Sequence, residues 1–299
     1  MIRFEQLLNR MYLMKETFIP MDDEQFHLVQ KTGLDMFLAI EDICKKHNLR
    51  VLLGFGSVLG AVRHKGFVPW DDDVDVLMPR KDYDVFVSLC DKELPSSMMI
   101  YAPGTKNGPE VRYAKIFNRE FKIFPEGGDE LSNLVCLDVM PLENYDDNGL
   151  RRRIKWWLYL LISTAATTTR LWHDRKKDTD YKFLMKLTRK GMIEYYIRLV
   201  IGFMFSFMSY QKWLIIADDW YKNTKETARV FIPSIFINTN PINRDTMLPA
   251  SIGSFEGCQV PLPNRAQDYL EFQYGDWEKL PPEDKRRQHL FYRKKTNQI

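Results

Sequence analysis

Cysteine is scarce in this chain and never paired: Cys44, Cys90, Cys136 and Cys258 stand far apart, with no C-x-x-C and no histidine at metal-ligand spacing. That argues against a zinc ribbon or a disulfide framework and predicts buried free thiols in a reducing compartment. A strong excess of charge is missing too, since 43 Lys and Arg against 40 Asp and Glu leave a formal +3. A nucleic-acid binder would carry a concentrated basic face, so no nucleic-acid partner is expected. The N-terminal "MIRFEQLLNRMYLMKETF" breaks its apolar residues with Arg3, Glu5, Arg10, Lys15 and Glu16, and it lacks the apolar core and cleavage site of a secretion signal. The expected location is the cytoplasm. No internal repeat is visible.

What is present is enough hydrophobic sequence, 45% of 299 residues, for one large domain or two ordinary ones. From Asp22 the spacing of Phe26, Val29, Gly33, Met36, Phe37, Ile40, Ile43 and Cys44 predicts an amphipathic helix, opened by a capping pair of Asp22 and Gln25. "LRVLLGFGS" then reads as a short buried strand entering a tight turn, and the acidic run after Trp70 as a strand stopped by Pro79. Tyr83, Phe86, Val87 and Cys90 mark one face of a following helix, and "VRYAKIFNRE" and "NLVCLDVMPL" read as two more strands. "YAPGTKNGPE" and "FPEGGDE" read as the loops around the first of these. Residues 150 to 229 lose most of their Gly and Pro and predict helices. The end of the chain returns to short strands from "FIPSIFINTN" onward, then to a helix near Pro281 and Pro282 that includes His289. The fold class expected is α/β (α+β), a mixed sheet with flanking helices.

The densest chemistry lies in "LLGFGSVLGAVRHKGFVPWDDDVDVLMPR", where Asp71, Asp72, Asp73 and Asp75 crowd together. Such carboxylates repel one another unless a cation sits among them. On a strand, Asp73 and Asp75 share one face while Val74 and Val76 take the other. Asp71 has the same parity, and Asp72 should point away. Two carboxylates on a rigid face suit a hard cation, Mg²⁺ or Mn²⁺, which commonly completes its shell with substrate phosphates. Asp138 in "VCLDVMPL" is a third candidate ligand. The turn "GFGS" offers Gly56 and Ser57 as a cradle for phosphate. Arg63, His64 and Lys65, with Arg112 and Lys115, are cations available to its oxygens. The order of glycine-serine turn, Asp-hydrophobic-Asp and later strand Asp is that of the nucleotidyltransferase superfold.

"GFGSVLGAVRHKGFVPWDDDVDVLMPRKDYDVF" resembles the central signature of the LicD family of phosphotransferases, of which the fukutin-related proteins are distant relatives. "RYAKIFN", "LDVMPLEN" and "FEGCQVPLPNRAQDYLEFQYGDWEKLPPEDKR" extend the resemblance over most of residues 20 to 149 and 250 to 290. It implies a nucleotidyltransferase-like fold that moves a phosphorylated alcohol, typically phosphocholine from CDP-choline, to a hydroxyl of a glycan or its lipid-linked precursor. Asp73 and Asp75 match the family's metal-binding acidic strand, Asp138 its later acidic position, and Gly56 and Ser57 its phosphate-facing turn. The expected partners are a CDP-activated alcohol and a glycan acceptor. Residues 1–149 and 230–299 would form the catalytic domain, with 150–229 as a helical insertion.

That insertion combines Arg151, Arg152, Arg153 and Lys155 with "WWLYLLIS" and "RLVIGFMFSFMSYQKWLIIA". Arg198, Gln211 and Lys212 interrupt its apolar runs before they reach bilayer length, so contact along a membrane surface is expected rather than a crossing. Two other readings compete: transfer of a nucleoside monophosphate from an NTP, and a membrane-surface scaffold that has lost catalysis. The retained acidic set argues against the scaffold.

Overall fold

The computed structural model describes residues 4–14, 16–124, 131–222, 225–233 and 240–294. The chain opens with α1 (Phe4–Leu13), β1 (Phe18–Pro20) and α2 (Asp23–Lys46). The predicted capping box closes α2 at its start. Asp22 Oδ1 accepts the Gln25 N–H at 2.8 Å and Gln25 Oε1 accepts the Asp22 N–H at 3.2 Å. Its expected apolar stripe faces the core.

Then come β2 (Leu52–Leu53), α3 (Phe55–Leu59) continued by a π-helical turn over Gly60–His64, β3 (Val74–Pro79) and α4 (Arg80–Glu93). β4 (Met98–Tyr101), β5 (Ala114–Lys122) and β6 (Leu134–Asn144) complete a mixed sheet ordered β2-β3-β6-β5-β4. β3 and β6 run parallel, joined by a crossover that contains α4, and the other neighbours are antiparallel. α2 and α4 pack on β3 and β6, where Met36, Phe37, Val76, Leu77, Leu137 and Val139 have no solvent exposure. Each such side chain contributes about 1.5–3 kcal/mol before the entropy of ordering it is charged against it.

Four helices follow β6: α5 (Gly149–His173), α6 (Asp180–Lys186), α7 (Arg189–Met204) and α8 (Tyr210–Lys222). β7 (Arg229–Phe231) and β8 (Ile242–Asn243) extend the far end of β6. α9 (Arg244–Met247), the hairpin of β9 (Ser251–Phe255) and β10 (Cys258–Leu262), α10 (Ala266–Tyr274) and β11 (Phe291–Arg293) finish the described chain. β11 pairs with β1. A buried ion cluster ties the helices to the sheet: Arg80, the first residue of α4, bonds Glu143 of β6 and, at 2.9 Å, Asp218 of α8.

Three expectations change. β3 begins only at Val74, so Asp71, Asp72 and Asp73 lie in the approach to the strand rather than within it. The helix expected near Pro281 is a single 3-10 turn, Glu283–Lys285, after which the chain is extended. It cannot coil because Asp72 holds the backbone N–H groups of His289 and Leu290, and β11 is already committed to β1. Of the four thiols only Cys44 and Cys90 are buried, while Cys136 and Cys258 are partly exposed because they sit on the open faces of β6 and β10. Most of the second expected flanking loop, "FPEGGDE", residues 125–130, and most of "FIPSIFINTN" lie outside the described residues.

Candidate active site

Register builds the floor of the site. In the parallel pair Asp75 stands opposite Asp138, and in the antiparallel pair Asp138 stands opposite Lys115, so one row across three strands reads Asp75, Asp138, Lys115. Asp75 is the one residue of β3 that is not buried, because alternation turns Val74 and Val76 toward α2 and Asp75 toward the open face.

Asp138 is already engaged. Lys115 Nζ donates to its Oδ1 at 2.5 Å and the Tyr113 hydroxyl to its Oδ2 at 3.1 Å. Burial alone would lower the Lys115 pKa, but Cys136 and Asp138 beside it hold the ammonium above its ordinary range. The Cys136 thiol lies 3.6 Å from Lys115 Nζ.

Asp71, Asp73 and Asp75 line a cleft of about 530 Å³. Among the described residues no Lys or Arg forms an ion pair with any of these three. Desolvation at the cleft floor, and then Asp73, hold the carboxyls of Asp71 and Asp75 well above the usual carboxylate range. These oxygens lack only a cation. The ligand atoms of Asp71, Asp72, Asp73 and His289 fall within 4.8 Å of one another, a second expression of the same unbalanced charge. An all-oxygen set with one flanking imidazole fits a hard divalent ion.

The glycine-serine turn acts on the carboxylates. A Cβ at Gly56 would overlap Asp71 Oδ2, so only glycine leaves that carboxylate its place. Ser57 is buried, and its Oγ accepts the Asp75 N–H at 3.0 Å, fixing the start of β3. Gly56 lines the cleft. Of the basic turn only Arg63 reaches the cleft wall, and its Nη1 donates to Trp277 O at 2.6 Å. His64 accepts from Arg63 Nε at 2.9 Å, and burial and then that guanidinium lower its pKa. Lys65 is exposed in a left-handed turn, φ 62°. Arg112 lies over the Tyr159 ring, 4.8 Å from its centre, beside α5 and outside the cleft.

The opposite wall was not assigned from the sequence. Tyr274, Asp276, Trp277, Lys279, Lys285 and His289 of the C-terminal segment close over the acids. Lys279 and Lys285 are exposed and form no ion pair among the described residues. Asp72, as expected, turns from the floor. It is buried, and its Oδ2 accepts the His289 and Leu290 N–H groups at 2.8 and 3.0 Å. The basic run "DKRRQH" was the available signal, but nothing local says that it folds back two hundred residues onto Asp72. Trp70 packs under Arg286, 5.5 Å from its ring centre, as an anchor of this segment.

Residues 48–125 match the family model described as LicD/FKTN/FKRP, nucleotidyltransferase domain. The chain carries a LicD-family domain. It is 28% identical over 276 residues to the lipopolysaccharide cholinephosphotransferase LicD of Haemophilus influenzae, covering 86% of this chain and 91% of that protein. An uncharacterized protein of Rickettsia prowazekii is 29% identical over 90 residues, 27% of this chain and 34% of its own. An uncharacterized protein of Rickettsia typhi is 30% identical over 71 residues, 22% of this chain and 23% of its own. The LicD match makes the chain a transferase of phosphate-containing groups, in a mixed α/β fold. The span matched by the family model, residues 48–125, holds the glycine-serine turn, Asp71 to Asp75, and Lys115, whereas Asp138 and the closing C-terminal segment lie beyond it.

Proposed function

We propose that this LicD-type chain transfers a phosphorylated alcohol, phosphocholine from a CDP-choline donor, to a hydroxyl of a cell-surface glycan or its lipid-linked precursor, at the cytoplasmic face of the membrane. The observation that carries the reading is the polarity of a single cleft, with carboxylates along its floor and, along its opposite wall, lysines that form no ion pair among the described residues. A diphosphate complements both, its oxygens meeting Lys279, Lys285 and Arg63 while a cation shared with Asp73 and Asp75 cancels the floor. The volume, about 530 Å³, suits a nucleotide. The name of the Haemophilus relative, a lipopolysaccharide cholinephosphotransferase, supports choline phosphate as the group moved and a glycan as acceptor.

In this reading Asp73 and Asp75, with Asp71 beside them, hold a Mg²⁺ or Mn²⁺ ion that neutralises charge developing on the transferred phosphoryl group. Ser57 and Gly56 keep those carboxylates in place. Asp138 orients the acceptor hydroxyl and takes its proton, with Lys115 and Tyr113 fixing the direction of its oxygens. Helices α5 to α8 form an insertion in the catalytic domain made by residues 1–149 and 230–299.

The test is release of CMP from CDP-choline, CDP-ethanolamine, CDP-glycerol and CDP-ribitol, with Mg²⁺ and a crude membrane glycan extract. Metal-dependent release from CDP-choline, lost in Asp75→Asn, supports the proposal. Release from another donor replaces the alcohol. Release from none, by a folded protein that instead consumes an NTP, replaces the reaction.

A further inference from the structure

α7 carries apolar residues on two of its sides, and only one of these is covered. Gly191, Tyr195 and Gly202 are buried, with Gly202 against the Thr168 carbonyl of α5 and Gly191 against that of Met185. On the other side Met192, Ile193, Tyr196, Ile197, Val200 and Phe203 are 40–61% exposed, and the first five of these, with Ile201, line an apolar groove of about 480 Å³. An exposed apolar patch of this kind on a helix already covered on its other apolar side marks a contact surface.

Charge says what covers it. The single acid of α7, Glu194, faces away from the stripe and is held by Arg198 at 2.9 Å. Arg189 and Lys190, both exposed, stand at the head of the stripe, and helical spacing places Arg189 in line with Tyr196 and Val200. α5 repeats the pattern, with exposed Leu150, Ile154, Trp157 and Leu161 along one line and exposed Arg153 at its side. A second copy of the α7 stripe would bring no acid to meet these cations, whereas an anionic lipid surface offers both an apolar boundary and negative headgroups. With 16 residues α7 is about 24 Å long, less than the roughly 30 Å hydrocarbon core, and no helix among the described residues is long and apolar enough to cross a membrane.

We infer that α7 lies flat on an anionic bilayer, its exposed stripe at the acyl boundary and Arg189 and Lys190 among the headgroups. The inference stands apart from the identity of the transferred group, and its test does not use the donor. Sedimentation with vesicles of phosphatidylcholine alone, or of equimolar phosphatidylcholine and phosphatidylglycerol, should show binding to the second that weakens at high salt. Ile197→Glu/Val200→Glu, on exposed positions, should lower that affinity by about tenfold or more with an unchanged melting temperature. Arg189→Glu/Lys190→Glu should remove the preference for the anionic vesicles. Absence of binding by the parent protein, or equal binding by the Ile197/Val200 variant, overturns the inference. So does a dimer of the parent protein in solution that this variant converts to monomer, since a second copy then covers the face.

Discussion

Asp75 and Asp138 stand opposite one another across the parallel pair β3/β6, and only one of the two has a cation: Lys115 bonds Asp138, and no Lys or Arg among the described residues pairs with Asp75. The row is therefore asymmetric before anything binds. Asp75, with Asp73 and Asp71, is left to a metal ion, while Asp138 is held by protein groups and is suited to guiding a proton.

That asymmetry sets the expectation for Lys115→Met. Removing the ammonium leaves Asp138 and Asp75 facing each other with no internal cation, so the floor becomes more negative. Mg²⁺ affinity, measured by titration calorimetry, should rise, while transfer falls by about 10²–10³ because the Asp138 oxygens lose their orientation. If both fall together, Lys115 holds phosphate instead of directing Asp138.

Asp75→Asn tests the cost of the uncancelled floor. Without metal the variant should melt about 2–4 °C above the parent at pH 7, since it removes a desolvated carboxylate among like charges. Excess Mg²⁺ should reverse the order, raising the parent and leaving the variant nearly unmoved. A variant less stable than the parent without metal would show that a partner inside the protein already neutralises Asp75.

Gly56→Ala and Ser57→Ala should damage the same carboxylates by different routes. The alanine methyl at 56 displaces Asp71, so metal affinity should fall with little change in folding beyond the local strain. At 57 the Asp75 N–H loses its acceptor in a part-buried position, which costs about 1–3 kcal/mol in urea unfolding and lowers kcat. Normal metal binding in both variants would mean that this turn serves the donor phosphates alone.

The sequence disclosed what is local. The capping box of α2, the alternation in β3 and the isolated Asp138 in an apolar strand each follow from residues a few positions apart, and each holds in the structure. What it did not disclose depends on contacts distant along the chain. Asp72 looked like the odd member of an acidic run, yet it binds His289 and Leu290. Ser57 looked free to face phosphate, yet the Asp75 N–H occupies its oxygen. Arg112 and Lys115, three residues apart, part company because Lys115 is on β5 while Arg112 precedes it and meets Tyr159 of α5.

Asp72 ties the acidic approach to β3 to the C-terminal wall of the cleft. Asp72→Ala releases two backbone N–H groups and should cost about 1–3 kcal/mol of stability, while raising KM for the donor more than it lowers kcat, because Lys285 and His289 lose their placement and Asp73 does not. Asp72→Asn keeps an acceptor oxygen and should restore most of the KM. It should also change the pH profile. Burial, and then Asp73, raise the Asp72 pKa from 3.8 to about 6 against the pull of His289. Between those values the folded protein retains a proton that the unfolded chain has released. This group's contribution to stability therefore falls as pH rises through that window, by up to about 1.4 kcal/mol per pH unit, and stays lost above it. Without added metal, the difference in unfolding free energy between Asp72→Asn and the parent should grow from pH 4 to about 6 and then level off. A flat difference across that range would mean that the carboxylate is already ionised at the bottom of it, with His289 and the two N–H groups outweighing its burial.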